Sequence, residues 1–263
     1  MSEAPLVFIT GASSGIGQAL AARFHRAGYR LALVARRANE VAHWASGQGF
    51  DAASWAVYGA DVRDVEAIAA AGQACIQAQG VPDVVIANAG ISVGMDTAER
   101  ADLEVMRATY ETNNLGLAAT FHPFVAAMRA RKSGTLVGIA SVAGIRGLPG
   151  HGAYSSSKAA VIAYCESLRG ELRPFGVKVV TILPGYIDTP LTKGNRYSMP
   201  FLMSAEAFAD RAYAAIVAGV RYRVIPWQMA IVARLLRALP NAVFDRLLAG
   251  RPRKHRQGEA ATK

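Results

Sequence analysis

A short apolar run near the start of the chain, Leu6–Ile9, leads into a glycine-rich turn and then into a helical stretch from Gly15 to His25. In such a turn Gly11 permits the sharp exit from the strand, and Gly17 allows the helix to pack closely on it. The free amides at the start of the helix form an anion site. An ordinary Gly/Ser turn is the alternative, but the strand–loop–helix order favours a phosphate-binding loop. The residues expected to hold the phosphate are Gly11, Ser13, Ser14, Gly15, Ile16 and Gly17.

The rest of the chain alternates between apolar runs of strand length and segments of helix length. The strands are expected at Leu6–Ile9, Leu31–Val34, Ala53–Tyr58, Val84–Ala87, Thr135–Ala140 and Lys178–Leu183, with Tyr222–Pro226 as a seventh strand at an edge. Continuous apolar runs indicate strands that are covered on both faces. Strand–helix repetition predicts an α/β fold with a doubly wound parallel sheet of Rossmann type.

The chain is expected to form a single domain over residues 1–226, with a C-terminal helical extension at 227–250. A polar, basic tail at 251–263 follows, and we expect it to be mobile. Hydrophobic residues make up 52% of the chain and charged residues 18%, which indicates a folded protein with a sizeable core.

The cysteines and the N-terminal residues give information about the cellular compartment. Cys75 and Cys165 lie in helix-like stretches and form neither a CxxC pair nor a metal cluster, so we expect buried free thiols and a reducing compartment. The chain opens without a secretory signal, and no stretch of about 20 residues lacks charge. These features predict a cytoplasmic protein without a transmembrane helix.

The net charge of +10 is concentrated near the C-terminus. Residues 1–220 hold 19 basic and 17 acidic residues, whereas residues 221–263 hold 10 basic and 2 acidic ones. In residues 227–249 two apolar helical segments meet at Pro240, with Trp227 at the start and arginines on one face. This pattern is typical of an interfacial helix, so residues 227–256 are a candidate for peripheral contact with the inner face of an anionic membrane. The alternative is a helical pair that packs on the domain or on a sister subunit.

No nucleic-acid partner is expected, because the basic run has no interleaved aromatic residues and no binding-module signature.

Tyr154 and Lys158 lie four residues apart in a helical stretch and therefore project from one face. A lysine ammonium close to a tyrosine hydroxyl favours the phenolate and lowers the tyrosine pKa from about 10. Tyr154 could then give a proton to a carbonyl oxygen or take one from an alcohol. Ser141 lies just past the fifth strand, where its hydroxyl could stabilise charge on the substrate oxygen. A turn or N-cap role is the plain alternative for this serine.

Several motifs together resemble the short-chain dehydrogenase/reductase family over roughly residues 5–226. The glycine spacing is TGxxxGxG, the residues from Asn113 to Gly116 form NxxG, and Tyr154 to Lys158 form YxxxK. The ends of the fourth and sixth strands resemble the family motifs NAG and PGxIxT, through Asn88, Ala89, Gly90, Pro184, Gly185, Ile187 and Thr189.

The resemblance implies roles for particular residues. Asp61 and Val62 would hold the adenine ring, and Asn113 would order a water molecule in a proton relay. Tyr154 and Lys158 would also contact the nicotinamide side of the cofactor. The four catalytic residues implied are Asn113, Ser141, Tyr154 and Lys158. The family resemblance also implies a homodimer or a homotetramer.

The residues after the second strand bear on the choice of cofactor. NAD-binding domains of this type place a carboxylate there to hold the ribose 2′-hydroxyl. Here the strand is followed by Arg36 and Arg37, and no carboxylate occurs before Glu40. Guanidinium groups suit a 2′-phosphate, so NADP(H) is the preferred cofactor. NAD(H) stays open, because both arginines could be solvated residues at a helix entry.

Two variable stretches, Val142–His151 and Pro190–Ala205, are expected to select the substrate. The second is rich in apolar side chains, which favours a small hydrophobic carbonyl or alcohol, unless these side chains simply pack. His151 is expected to be a surface-loop histidine, although a place at the substrate mouth is open. No metal site is expected.

The sequence therefore predicts an NADP(H)-dependent oxidoreductase, a reductase of a hydrophobic ketone with Tyr154 as proton donor. One alternative is an NAD-dependent alcohol dehydrogenase that works oxidatively. The other is a non-catalytic protein that senses the cofactor or docks on a membrane.

Overall fold

The computed structural model describes residues 4–195, 197–250 and 252–256. The strands are β1 Leu6–Thr10, β2 Arg30–Ala35, β3 Trp55–Gly59, β4 Val84–Ala87, β5 Thr135–Ile139, β6 Lys178–Pro184, β7 Ile187–Asp188, β8 Met203–Ser204 and β9 Tyr222–Ile225. The helices are α1 Gly15–Arg26, α2 Ala38–Gly47, α3 Val65–Gln79, α4 Asp102–Tyr110, α5 Gly116–Arg131, α6 Gly152–Leu172, α7 Ala205–Val217, α8 Trp227–Ala238 and α9 Asn241–Leu248.

Seven of these strands form one parallel sheet in the order β3-β2-β1-β4-β5-β6-β9. The order reverses direction at β1 and β4, as in a doubly wound sheet, and β9 occupies the predicted edge. The predicted fold class is therefore confirmed. Sheets of this topology bind ligands at the carboxyl ends of the strands, beside the point where the order reverses.

The core lies on both faces of the sheet. In β1 the side chain of Phe8 packs into one hydrophobic cluster, with α3, α5 and α6. Its neighbours Val7 and Ile9 pack into the other, with α1, α2 and α7. All five residues of β1 are buried, which explains why the strand reads as a continuous apolar run.

The third strand differs from the sequence prediction at its start. Residues Ala52–Ser54 form a short 3₁₀ turn, and β3 begins only at Trp55. The Asp51 carboxylate accepts a hydrogen bond from the Ala53 amide at 3.2 Å, which favours a turn over an extended chain.

The C-terminal extension forms α8 and α9, which meet at Pro240 as expected. Each helix packs on the rest of the chain through a few buried side chains: Met229 and Ala233 of α8, and Phe244 of α9. Three side chains on the opposite face of α8 are exposed: Trp227, Ile231 and Leu235. Within the described ranges, no helix combines the length and the apolar character needed to cross a bilayer.

The expectation of a mobile tail is wrong for residues 252–256. Gly94 and Arg256 form an isolated parallel bridge, and the Arg256 guanidinium pairs with the Asp102 carboxylate at 2.6 Å. This ion pair holds the segment against the domain. The remainder of the expected tail, Arg251 and residues 257–263, lies outside the described residues, as do residues 1–3 and Arg196.

Candidate active site

A cavity of about 490 Å³ lies at the carboxyl ends of the central strands. Nearly all of the predicted site residues line it: Gly11, Ser13, Ser14, Gly15, Ile16, Arg36, Arg37, Asp61, Val62, Asn88, Ala89, Gly90, Ser141, Tyr154, Lys158, Pro184, Gly185, Ile187 and Thr189. Two predicted residues, Gly17 and Asn113, are not part of this lining and lie behind it.

Gly17 supports the phosphate loop from below. A Cβ atom at this position would collide with the Gly11 carbonyl oxygen and would lie 2.9 Å from Asn88 Nδ2. A side chain here would therefore push the loop away from α1. At the loop's other end the Ser14 hydroxyl, at the N-cap of α1, accepts no hydrogen bond from the first turn of the helix. The amides of that turn thus keep their capacity to bind an anion.

Asn88 joins the loop to the neighbouring strand end. Its Nδ2 donates to the carbonyl oxygens of Thr10 at 3.0 Å and Gly11 at 3.3 Å. The amides of Asn88 and Ala89 in turn donate to the Thr10 hydroxyl. These bonds fix the loop that follows β1 against the end of β4, and so shape the centre of the cavity.

The ends of β2 and β3 carry a cluster of charges. Arg63 contacts both carboxylate oxygens of Asp61, at 2.7–3.2 Å, and its hydrogen bonds hold the Asp61 pKa below its ordinary value. Arg36 lies farther away, at 3.9 Å from Asp61, and Arg37 pairs with Glu40 at 2.8 Å. Both Arg36 and Arg37 are exposed and line the cavity. Positive charge therefore exceeds negative charge at this end.

Ser141, Tyr154 and Lys158 meet at the other end of the cavity. Burial raises the pKa of Tyr154, and a hydrogen bond with Ser141 opposes that rise. Lys158 Nζ donates to the Ile139 carbonyl oxygen at 2.8 Å and lies 5.8 Å from the centre of the Tyr154 ring. Burial lowers the pKa of Lys158 to about 8.

The expected lowering of the Tyr154 pKa is not found in the chain alone, where burial raises it. Taking the phenol out of water disfavours its charged form, and the same burial disfavours the ammonium that would stabilise it. Ser141 is the group whose hydrogen bond acts in the expected sense.

Asn113 occupies a single π-helical turn, Glu111–Leu115, between α4 and α5. The Ile91 amide donates to Asn113 Oδ1 at 2.9 Å, and Asn113 Nδ2 donates to the Ile91 carbonyl oxygen at 3.0 Å and to Ser157 Oγ at 2.9 Å. Asn113 thus ties the loop after β4 to α6, the helix that carries Tyr154. Such π turns are frequent at functional sites because they redirect a side chain.

Gly116 explains the second half of the NxxG motif. A Cβ atom at Gly116 would lie 2.8–2.9 Å from the atoms of Val62. The glycine therefore lets α5 approach the residue that lines the adenosine end of the cavity. Asn114, next to Asn113, donates to the Ser157 carbonyl oxygen at 2.9 Å and supports the same helix contact.

A second, larger cavity of about 660 Å³ adjoins the first. Its lining begins at Val142, the residue after Ser141, and includes Tyr186, the residue after Gly185. The remaining lining comes from both predicted substrate stretches, from α8 and α9, and from Pro252, and most of these side chains are apolar. The C-terminal extension is therefore one wall of this cavity.

His151 is buried in the larger cavity, so its expected place in a surface loop is wrong. Its Nδ1 lies 3.2 Å from the Pro149 carbonyl oxygen, which can only accept, so Nδ1 carries the proton. Nε2 then accepts from the Tyr197 hydroxyl at 3.2 Å. Burial lowers the His151 pKa and keeps the imidazole neutral.

Comparisons with known proteins agree with this geometry. The family model for short chain dehydrogenases matches residues 5–199. The chain belongs to the short-chain dehydrogenase/reductase family. An uncharacterized oxidoreductase from Myxococcus xanthus is 38% identical over 237 residues, which are 90% of this chain and 93% of the relative.

Two further members of the family resemble most of the chain. Dehydrogenase/reductase SDR family member 7B of Bos taurus is 34% identical over 274 residues, covering 97% of this chain and 83% of that protein. A short chain dehydrogenase from Burkholderia cenocepacia, solved in complex with NADP, has a TM-score of 0.80 at 26% identity and covers 94% and 98% of the two chains. The protein is thus an oxidoreductase of this family.

The first cavity fits a dinucleotide such as NADP. It offers free helix amides in its middle, an excess of guanidinium groups at one end, and a tyrosine with a serine and a lysine at the other. Gly90 keeps space open there, because a Cβ atom on it would lie only 3.2 Å from Asn113 Oδ1 and 3.4 Å from Lys158 Nζ. The described residues hold no cluster of His, Cys, Asp and Glu suited to a metal ion.

Several further residues line this cavity that the motifs in the sequence do not indicate. Arg63 could have been suspected, because it follows Asp61-Val62 directly. The others are mostly backbone or apolar contributors whose type carries no chemical signal. They are Val34, Ala35, Ala60, Ile91, Thr112, Ile139, Ala140, Pro190, Leu191 and Thr192.

Proposed function

We propose that the protein is an NADP(H)-dependent reductase of hydrophobic ketones, with Tyr154 as the proton donor. The observation that carries the proposal is the joint lining of one cavity by the phosphate loop and by Ser141, Tyr154 and Lys158. That arrangement places a proton donor next to one end of a dinucleotide bound in the cavity.

Each side chain then has a chemical task. A bound nicotinamide supplies the hydride. Tyr154 gives its phenolic proton to the substrate carbonyl oxygen, and a raised pKa keeps this proton in place at neutral pH. The Ser141 hydroxyl donates a hydrogen bond to the same oxygen and stabilises the negative charge that develops there.

Lys158 and Asn113 support these groups. Lys158 has three N–H donors and spends one on Ile139, so two are available for Tyr154 and for the cofactor ribose. Asn113 holds the loop after β4 through both of its amide atoms, which fixes the cavity wall opposite Tyr154. The family resemblance further implies that Asn113 orders a water molecule in the proton relay, and we keep this role as part of the proposal.

The larger cavity supports a hydrophobic substrate. Its volume falls within the range of about 300–1,000 Å³ that is common for small-molecule sites. It opens beside the catalytic groups, since Val142 in its wall directly follows Ser141. An oxidative alcohol dehydrogenase would use the same groups in reverse, with Tyr154 accepting the proton.

The test is the substitution Tyr154→Phe, assayed with NADPH and a panel of apolar and polar ketones. Loss of the proton donor is expected to lower kcat by about 10²–10⁴-fold, while NADPH binding, followed by fluorescence titration, stays within about threefold of wild type. Turnover of the folded variant near the wild-type rate would refute the role of Tyr154. NADPH binding without reduction of any ketone, and without oxidation of the matching alcohols with NADP⁺, would favour a cofactor-sensing protein.

We also propose that the protein forms a homodimer or a homotetramer. Four exposed apolar side chains on α4 to α6 favour this assembly: Leu103, Met106, Leu115 and Tyr164.

We further propose that α8 is the part of the chain that contacts a membrane. Trp227 and two further apolar side chains are exposed on α8, whereas residues 252–256 of the basic tail pack on the domain. Analytical sedimentation with and without anionic liposomes tests both ideas. A monomer that stays in the supernatant would remove them.

A further inference from the structure

The segment of residues 252–256 crosses the loops that line the two cavities. The Gly94 amide donates to the His255 carbonyl oxygen at 2.9 Å, which fixes the segment on the loop after β4. The aliphatic part of Arg253 lies against Gly150 in the loop after β5. Pro252 forms part of the larger cavity's wall. The segment therefore runs along the border of the proposed substrate site.

Lys254 extends from this segment towards the loops after β4 and β7, next to the cofactor cavity. Its Nζ donates to Ser92 Oγ at 3.1 Å and to the Leu191 carbonyl oxygen at 3.2 Å. Leu191 lines the cofactor cavity, and Ser92 follows Ile91, which lines it as well. The Lys254 charge also acts on His151, a residue of the larger cavity. The ammonium group thus lies at the edge of the cofactor cavity and is close enough to the larger one to act on His151.

Both partners of this ammonium are neutral. A lysine has three N–H donors, and two of them are used. In the described part of the chain no carboxylate forms an ion pair with Lys254, whereas the neighbouring Arg256 pairs with Asp102 and Glu99. Partial burial lowers the pKa of Lys254. A partly buried cation without a counter-ion loses some of its hydration, and an anionic ligand would offset that cost.

We infer that Lys254 binds an anionic group of the substrate, so that the substrate is an amphiphile with an apolar chain and a carboxylate or phosphate near its carbonyl. The chain would occupy the larger cavity and the anion would lie at the mouth, against the third N–H of Lys254. This inference rests on the proposed function, because it takes the larger cavity as the substrate site.

The test measures binding rather than turnover. The NADPH-loaded protein is titrated by calorimetry with decanoate, decyl phosphate and 1-decanol, which share one chain and differ in head group. The wild type is expected to bind at least one of the anions about tenfold or more tightly than the alcohol. The tighter of the two anions identifies the head group as carboxylate or phosphate.

Three variants separate charge from structure. Lys254→Met should remove the preference for the anion and leave 1-decanol binding unchanged, and Lys254→Arg should keep most of the preference. Arg253→Gln is the matched control, because it removes an exposed cation from the same segment while keeping the carbons that contact Gly150. It should bind all three ligands as the wild type does.

Three results would overturn the inference. The first is equal binding of anion and alcohol by the wild type, and the second is an equal loss of both in Lys254→Met. The third is weaker NADPH binding in Lys254→Met, by about the same factor as for the anion, which would assign the lysine to the cofactor. Failure of the proposed function looks different: no carbonyl compound is reduced, while the anion preference persists in these titrations.

Discussion

At the scale of single residues, three guanidinium groups and the Asp61 carboxylate line one end of the first cavity. Arg63 takes the carboxylate of Asp61 in a two-point contact, and Arg37 is engaged with Glu40. Arg36 has only a 3.9 Å contact with Asp61 and is 65% exposed, so its donors are the most available of the three. A phosphate on the ribose would find its strongest partner in Arg36.

Substitution Arg36→Ala should therefore weaken NADPH binding by about tenfold and change NADH binding by less than about threefold. The difference arises because only the phosphorylated ribose carries the charge that the guanidinium binds. Fluorescence titration of both cofactors measures it, with Arg211→Ala as a control arginine on the exposed surface of α7. If the affinities for NADPH and NADH fall by the same factor, Arg36 does not select NADP(H).

The site residues that can be recognised in the sequence belong to motifs in which a few residues lie at short, fixed separations along the chain. The distance from Tyr154 to Lys158 fixes one helix face, and the glycines from Gly11 to Gly17 fix one turn. The pKa of Tyr154 was not predictable in this way, because it depends on burial by loops far away in sequence. Arg146 was missed for the same reason, since its partners lie about 90 residues later.

At the scale of elements, Arg146 connects the loop after β5 to both helices of the extension. Its guanidinium donates to the carbonyl oxygens of Leu236, Arg237 and Leu239 at the end of α8. Its Cζ lies 3.8 Å from the ring centre of Phe244 in α9. A cation suits the carbonyl end of a helix, both as a donor and as a charge. One side chain thus holds the wall of the larger cavity in place.

Substitution Arg146→Met is expected to lower the free energy of unfolding by about 1–2 kcal/mol, because partly buried carbonyl groups lose their donor and the ring contact is lost. The KM for an apolar ketone should rise about tenfold with little change in kcat, since the groups at Tyr154 stay in place. Urea denaturation and steady-state kinetics measure the two effects.

The matched control is Arg129→Met, which removes a guanidinium 3.8 Å above the Phe175 ring, away from both cavities. This variant should lose stability without a change in KM. A KM for Arg146→Met that equals the wild-type value would mean that α8 and α9 hold their positions without this arginine.

At the scale of the whole molecule, the C-terminal segment returns across the domain to the start of α4. The Asp102 carboxylate is buried and accepts hydrogen bonds from Arg256 at 2.6 Å and from the Asp96 amide at 2.7 Å. The sheet and its order follow from local patterns in the sequence. The docking of the tail does not, because it depends on contacts between distant residues, such as the ion pair between Arg256 and Asp102, 154 positions apart, in a segment whose composition is polar.

Arg256→Gln should lower the thermal unfolding midpoint at pH 7 by a few degrees, and the difference from wild type should depend on pH. Arg256 lowers the Asp102 pKa below its ordinary value of 3.8. A carboxyl whose folded pKa is lowered stabilises the fold above the unfolded pKa, and this contribution disappears as the pH falls through the folded value. The difference in unfolding midpoint between the two proteins should therefore be constant from neutral pH down to about 5 and should shrink below about 4.

Scanning calorimetry across this pH range measures the gap between the two midpoints. The control is Arg107→Gln, which breaks an exposed pair with Glu104 and is expected to show little effect at any pH. A gap that keeps its size in acid would show that Arg256 holds the segment by packing rather than by charge.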